Sequence, residues 1–309
     1  MEMKIDFLCI GAQKSGTSWL YKNLQEIKEF SLPQVKEIHY FDRDSQYPSP
    51  TKKSFIKRIS NPKHVIKALG SILKSILQGK IHKAKFVFKW NFAREYNDNW
   101  YLSLFNNLEG YKGEITPSYS ILNVEDIKEM HKLLPGVKLV LMLRNPIERA
   151  WSHYRSDINE KFRVDVNNIN SIEIIEFMKT DEQVLRSNYL RTIKNYLEVF
   201  EEEQILIGFY DAIKNSPEDL IKDVINHICG ENSIDISHLN LNQITSISRN
   251  KIDCPKEVLE YLKEVNYYQI KELSGEYGGY FTKWYNELYL EDKPNKHKKY
   301  PSTIKLEKA

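Results

Sequence analysis

The chain has 309 residues, 41% of them hydrophobic, 28% charged and 12% aromatic, which supplies a packed core and excludes wholesale disorder. A net charge of +3 is too small to mark the whole chain as a nucleic-acid binder. Three cysteines, Cys9, Cys229 and Cys254, form no C-x-x-C pair, which argues against a disulfide scaffold or structural zinc. Met1 to Gly11 lacks the long apolar stretch and small-residue cleavage site of a leader, and no run of about eighteen apolar residues occurs. A soluble protein of a reducing, cytoplasmic compartment is expected.

In chain order, the spacing predicts a strand at Ile5–Ile10, a helix at Thr17–Ile27, and strands at Phe86–Lys89 and Gly113–Thr116. A helix at Val124–Leu134 follows, with Asn123 as its cap and Pro135-Gly136 as its stop. Then come a strand at Lys138–Leu143, helices at Pro146–Ile158 and Leu190–Phe200, a strand at Gln204–Phe209 and a helix at Glu218–Cys229. Two further helical stretches, Pro255–Ser274 and Phe281–Leu290, close the pattern. Alternation of this kind is that of an α/β fold, a single domain with a central parallel sheet flanked by helices. The domain is expected over residues 1–292, with a basic, flexible tail over 293–309.

Residues 45–94 break the pattern. They carry twelve Lys or Arg and no Asp or Glu, so the other 259 residues hold 33 basic against 42 acidic side chains, a balance of −9. Within this insert Ile66, Leu69, Leu73 and Ile76 fall on one helical stripe and Lys63, Lys67 and Lys74 beside it. The pattern fits a solvated lysine face over ordinary core contacts, a surface for an anionic acceptor, or weak contact with an anionic membrane surface.

After the first strand, Gly11-Ala-Gln-Lys14-Ser15-Gly16-Thr17-Ser18 is a glycine-bracketed turn leading into a helix. Backbone N–H groups and the positive helix end can surround a phosphate there. The turn is P-loop-like, but Thr17 stands where a Walker lysine would be and Lys14 lies inside the loop, which disfavours a nucleotide kinase or hydrolase. A second anion site is expected at Arg144, the end of the Lys138–Leu143 strand, where open α/β sheets bind ligands. Asn145, Pro146 and Glu148 there specify a helix start.

These residues resemble the sulfotransferases that use 3′-phosphoadenylyl sulfate (PAPS), with closer similarity to the heparan-sulfate-type glycan sulfotransferases and their bacterial relatives. Besides the Lys14 loop, the likeness rests on Lys36-Glu37-Ile38-His39-Tyr40-Phe41-Asp42, on Asn99-Trp100-Tyr101, on Gly113-Glu114-Ile115-Thr116-Pro117-Ser118-Tyr119, and on Arg144 through Ser152, in that order along the chain. The resemblance implies a sulfotransferase fold and sulfuryl transfer from PAPS, with 3′,5′-adenosine bisphosphate (PAP) as product and no metal. It implies that Lys14, Ser15, Gly16, Thr17 and Ser18 hold the 5′-phosphosulfate and that Arg144 and Ser152 hold the 3′-phosphate. Ser187 and Tyr189 match a Ser-x-Tyr element, and Arg249, Asn250 and Lys251 fall where relatives place a basic loop over the nucleotide.

By the same resemblance Glu37 is the general base and Lys14 stabilises the leaving phosphate. His39 is the alternative base, since its ordinary pKa of about 6.5 lies nearer neutrality. Glu37, His39, Trp100, Tyr101, Thr116 and Tyr119 are expected to face the acceptor, a glycan or small molecule that carbohydrate-like aromatic packing would suit. Ile115 departs from the family, in which many members carry a second catalytic lysine there. The sequence leaves open a transferase of a small-molecule or lipid hydroxyl, a kinase, and a non-catalytic adaptor. It supports no nucleic-acid reading motif, no histidine spacing for a metal and no G-x-S-x-G elbow.

Overall fold

The computed structural model describes residues 4–49, 59–161, 170–230, 234–243, 253–290 and 299–306. The sheet begins with β1 (Phe7–Gly11), which leads through a tight turn into α1 (Thr17–Glu26) and then the short β2 (Phe30–Ser31). A helical pair, α2 (Pro62–Leu77) and α3 (Ile81–Phe92), precedes α4 (Asp98–Ser103), β3 (Tyr111–Ile115), a 3-10 turn at Pro117–Ile121 and α5 (Val124–Leu133). Next come β4 (Lys138–Leu143), α6 (Pro146–Lys161), α7 (Ser171–Met178), α8 (Asp181–Ser187) and α9 (Tyr189–Leu197). Then follow β5 (Ile205–Phe209), α10 (Tyr210–Asn215), α11 (Pro217–Cys229), α12 (Lys256–Tyr277), α13 (Gly279–Tyr289) and β6 (Thr303–Lys305).

The strand order is β2-β3-β1-β4-β5-β6, parallel throughout except for the antiparallel β5–β6 pair. β1 and β5 are buried along their whole length and β4 nearly so, as strands covered on both faces must be, and this explains their unbroken apolar sequences. β1 is central, with Leu8 beside Glu114 of β3 on one side and beside Leu139 of β4 on the other. The chain leaves β1 toward β2 and leaves β4 toward β5, in opposite directions. A crevice therefore opens beyond the carboxyl ends of β1 and β4, the switch point at which doubly wound sheets bind ligands.

Three expectations change. Phe86–Lys89 is not a strand but the middle of α3, because a short apolar run has no period of its own and the surrounding residues complete a helix. Phe86 and Trp90, one turn apart, stack with ring centroids 6.1 Å apart. The tail does not stay free of the fold. Thr303–Lys305 adds the sixth strand, Ser302 and Thr303 donate their hydroxyls to Asp223, and Leu306 is buried in the main core. In α2 it is Ala68 and Ser75 that face the protein, while the apolar stripe at Ile66, Leu69, Leu73 and Ile76 lies exposed instead of covering a core. Among the described residues no helix is long and apolar enough to cross a membrane.

Because Leu306 is 3% exposed, Leu306→Ala should cost about 2–5 kcal/mol in a urea titration, the usual price of truncating a packed leucine. An unchanged midpoint would mean that the tail does not dock.

Candidate active site

The turn from β1 to α1 packs so tightly against the rest of the protein that two of its positions admit only glycine. A side chain at Gly16, which has φ +89°, would meet the Ile213 Cδ1 at 2.4 Å, and one at Gly11 would meet the Ser120 Cβ at 2.6 Å. Gly16 is also the cap of α1 and provides no side-chain acceptor, so the first N–H groups of that helix have no side-chain cap. Lys14 sits in the turn with φ +68°; Ser15 and Thr17 are buried, and Ser18 is exposed at the helix start.

Arg144 leaves β4 beside this turn. Its guanidinium carbon lies 4.5 Å from the centre of the Tyr210 ring, and the same ring packs within 3.1 Å of where a Gly16 side chain would begin. The two anion-binding candidates thus both border a single tyrosine. Arg144 donates from Nε and Nη2 to Glu148 at 3.0 and 2.8 Å. That pair is i,i+4 with Glu148 exposed, worth about 0.5 kcal/mol, so a phosphate dianion offering the fork a stronger partner can displace it. Glu148 is consequently spent on Arg144. Asn145 alone caps α6, accepting from the Ile147 N–H at 3.0 Å. Ser152, half-buried, lies in the second turn of α6, the helix that follows Arg144.

Ser187 and Tyr189 brace this second site from behind. The Tyr189 hydroxyl donates to the Arg144 carbonyl at 2.7 Å, and the Ser187 hydroxyl accepts from Arg149 at 2.8 Å. Arg149 is fully buried, and burial pushes its pKa down to about 10. Burial, with Arg149 and Arg186 nearby, holds His153 at about 3 and so neutral. Arg249, Asn250 and Lys251 lie outside the described residues. The chain before them is pinned to α1, where the Trp19 indole donates to the Leu241 carbonyl at 2.9 Å.

On the other side of β1, the loop 36–42 forms a chain of charges. The Asp42 carboxylate, whose side chain is fully buried, meets the His39 Nδ1 at 2.7 Å, and the His39 Nε2 lies 3.5 Å from Glu37. Glu37 in turn accepts from the Lys36 ammonium at 2.9 Å, and Lys36 also donates to the Ser18 hydroxyl at 3.2 Å. Burial alone would raise the Glu37 carboxyl, but His39 and Lys36 hold it down at about 2. Burial would likewise lower the His39 imidazole, yet its bonds to Asp42 and Glu37 push it up to about 9. At neutral pH Glu37 is therefore a carboxylate and His39 an imidazolium.

Both residues have positive φ, +67° at Glu37 and +54° at His39. Among the described residues these two and Lys14 are the only non-glycines in that region, which costs such residues about 1–3 kcal/mol each unless neighbours enforce it. The enforcement comes from the end of β3. Glu114, 2% exposed, accepts from the hydroxyls of Tyr101 at 2.8 Å, Thr116 at 2.7 Å and Tyr119 at 3.0 Å. The Thr116 and Tyr119 oxygens then accept the backbone N–H groups of Ile38 and Tyr40, both at 3.0 Å.

This network corrects the acceptor-facing roles expected for Trp100, Tyr101, Thr116 and Tyr119. All four are buried, with the three hydroxyls spent on Glu114 and the Trp100 indole donating to the Lys89 carbonyl at 3.0 Å. They support the loop and do not line an open surface. Ile115, on the opposite face of β3 from Glu114, is 1% exposed in the main core, where a lysine would be a buried charge. The sequence reasoning gave no role to Lys36, Asp42, Glu114, Arg149 or Tyr210. The first four stand inside the quoted motifs, but only their contacts reveal what they do. Among the described residues no cluster of three or more His, Cys, Asp or Glu could hold a metal ion.

The model of the sulfotransferase domain family matches residues 4–291. Among solved structures, the sulfotransferase from Alicyclobacillus acidocaldarius superposes with a TM-score of 0.58 at 20% identity, over 88% of this chain and 95% of that one. The sulfotransferase domain from the curacin biosynthetic pathway aligns with a TM-score of 0.48 at 14% identity, over 74% of each chain. No curated protein sequence matches the chain significantly.

The charge chain predicts a pH window for stability. Glu37, depressed from 4.5 to about 2, contributes fully above 4.5 and loses its contribution as pH falls toward 2. His39, raised from 6.5 to about 9, contributes fully below 6.5 and loses its contribution as pH rises toward 9. Thermal melts of the wild type should therefore weaken between pH 6.5 and 9, and His39→Gln should flatten that decline. Parallel curves for the two proteins would rule out the His39 pairing.

Proposed function

The chain belongs to the sulfotransferase family, and from that premise we propose that it moves a sulfuryl group from PAPS to a hydroxyl or amine acceptor, with Glu37 as base and Lys14 at the leaving phosphate. One observation carries the assignment. Lys14, Glu37 and His39, picked out by motif, are also the described non-glycine residues that the fold holds at positive φ. Strain of that kind concentrates at functional sites.

The residues fit the donor. Lys14 stands in the turn between β1 and α1, α1 presents N–H groups without a side-chain cap, and Arg144 offers a guanidinium fork against the Tyr210 ring that also lies beside Gly16. Lys14, Ser15, Gly16, Thr17 and Ser18 would hold the 5′ end, and Arg144 with Ser152 the 3′-phosphate. Bound there, PAPS supplies an activated sulfuryl group and departs as PAP. A sulfuryl group bears one negative charge, so lysine and backbone donors suffice and no metal is required of the chemistry.

Glu37 takes the acceptor proton as the new bond to sulfur forms. Lys14 donates to the phosphate oxygen that keeps the electron pair when the old S–O bond breaks. His39 is not assigned as the base, because its contacts with Asp42 and Glu37 push its pKa up and favour the protonated form. It orients Glu37 instead. A carboxylate held at about 2 is a weak base, and Lys36 is part of the reason. Lys36 already reaches Ser18 of the donor loop, so an anion bound there draws it from Glu37 and raises the basicity of that carboxylate at the moment it is needed.

For the acceptor we favour a carbohydrate or carbohydrate-containing molecule. A cavity of about 690 Å³ lies between α1, the α2–α3 pair and residues 34–35, with Val35 two residues from Glu37. The stacked Phe86 and Trp90 wall it, Gln25 and Gln34 offer amides, and Lys67 and Lys83 suit an anionic substituent.

Radiolabelled transfer from PAPS to a panel of glycans and small hydroxyl compounds tests the reading. Lys14→Ala should lose about a hundredfold or more in turnover, and retention of half the rate would refute its role. Glu37→Gln should lose about as much while still binding PAP. A near-normal Glu37→Gln beside a dead His39→Asn would reverse the two roles.

A further inference from the structure

The exposed large apolar side chains are not scattered. Of thirteen among the described residues, eight lie between Ile59 and Phe88. In α2 they are Ile66, Leu69, Leu73, Ile76 and Leu77, with 70, 52, 58, 47 and 80% of their surface exposed. Their spacing of three and four residues sets them on one stripe. Ala68 and Ser75 mark the buried face, so the most apolar side of this helix is one the protein does not cover. Ile81 and Phe88, seven apart on α3, are exposed as well.

Lysines flank this surface. Pro62 to Phe92 contains seven of them and no carboxylate, and on a helical wheel Lys63, Lys67 and Lys74 fall between the apolar stripe and the buried face. A partner must therefore accept bulky aliphatic groups along a line and positive charge immediately beside it. A second copy of the same surface fails the second condition, since lysines would meet lysines. A bilayer with anionic headgroups meets both, with hydrocarbon below the headgroups for the leucines and surface negative charge for the lysines.

We infer that the outer face of the α2–α3 pair is a membrane-docking surface for anionic lipid bilayers. The helix lies along the interface, with Leu69 and Leu73 in the acyl boundary and Lys63 and Lys74 at headgroup level. The inference does not depend on the transfer reaction, because neither the stripe nor Lys63 and Lys74 line the acceptor cavity, although Lys67 does.

Cosedimentation of the full chain with vesicles tests it. Vesicles of phosphatidylcholine with about one third phosphatidylserine should retain the protein, and pure phosphatidylcholine vesicles should retain at least about tenfold less. Leu69→Ser with Leu73→Ser, and separately Lys63→Glu with Lys74→Glu, should each lower the partition coefficient by about tenfold or more with an unchanged circular dichroism spectrum. These substitutions are on solvent-exposed positions, so loss of fold is not the expected cause. Raising salt from about 0.1 M to about 0.5 M should weaken binding of the wild type. Equal retention by wild type and both variants would overturn the proposal, as would no retention on anionic vesicles. A concentration-dependent dimer that the leucine substitutions abolish, without vesicle binding, would assign the surface to self-association instead.

Discussion

The buried Glu114 carboxylate is the constraint on which the acceptor side of this protein depends. An ion so deep in a sheet is tolerated only with its lone pairs occupied, and Tyr101, Thr116 and Tyr119 occupy them. Because a hydroxyl that donates to Glu114 still has lone pairs, two of the three also accept from the backbone of the Glu37 loop. The carboxylate thus fixes, at one remove, backbone angles that Glu37 and His39 would not adopt alone. The loop can be strained because the floor below it is fully satisfied.

The donor side is organised by topology. Neighbouring parallel strands β1 and β4 end together, and their connections diverge, so the glycine turn and Arg144 face one crevice although 128 residues separate Gly16 from Arg144 in the sequence. Tyr210, the first residue after β5, borders both, lying beside Gly16 and against the Arg144 guanidinium. Lys36 joins the two halves by bonding Ser18 and Glu37 together, which gives the acceptor-side carboxylate an electrostatic link to whatever anion occupies the turn.

Charge is divided in space as it is in sequence. The acidic remainder of the chain builds the sheet and its covering helices, and the basic segment builds a helical pair whose inner face borders the cavity near Val35 and whose outer face is apolar and exposed. One short insert therefore offers two different surfaces, which a helix can do because its sides are separated by only a few residues of sequence.

By itself the sequence determined the alternating α/β plan, the glycine turn, the strand that ends on Arg144 and the group Lys36 to Asp42, because each is written in local spacing. It misread Phe86–Lys89 and the tail, since a short apolar run or a Thr-Ile pair takes its conformation from whatever lies beside it. Only the tertiary structure decided that Trp100, Tyr101, Thr116 and Tyr119 are supports, that His39 is a cation held between two carboxylates, and that the α2 stripe faces outward. Those outcomes depend on burial and on partners distant in the chain, and residue spacing carries no record of either.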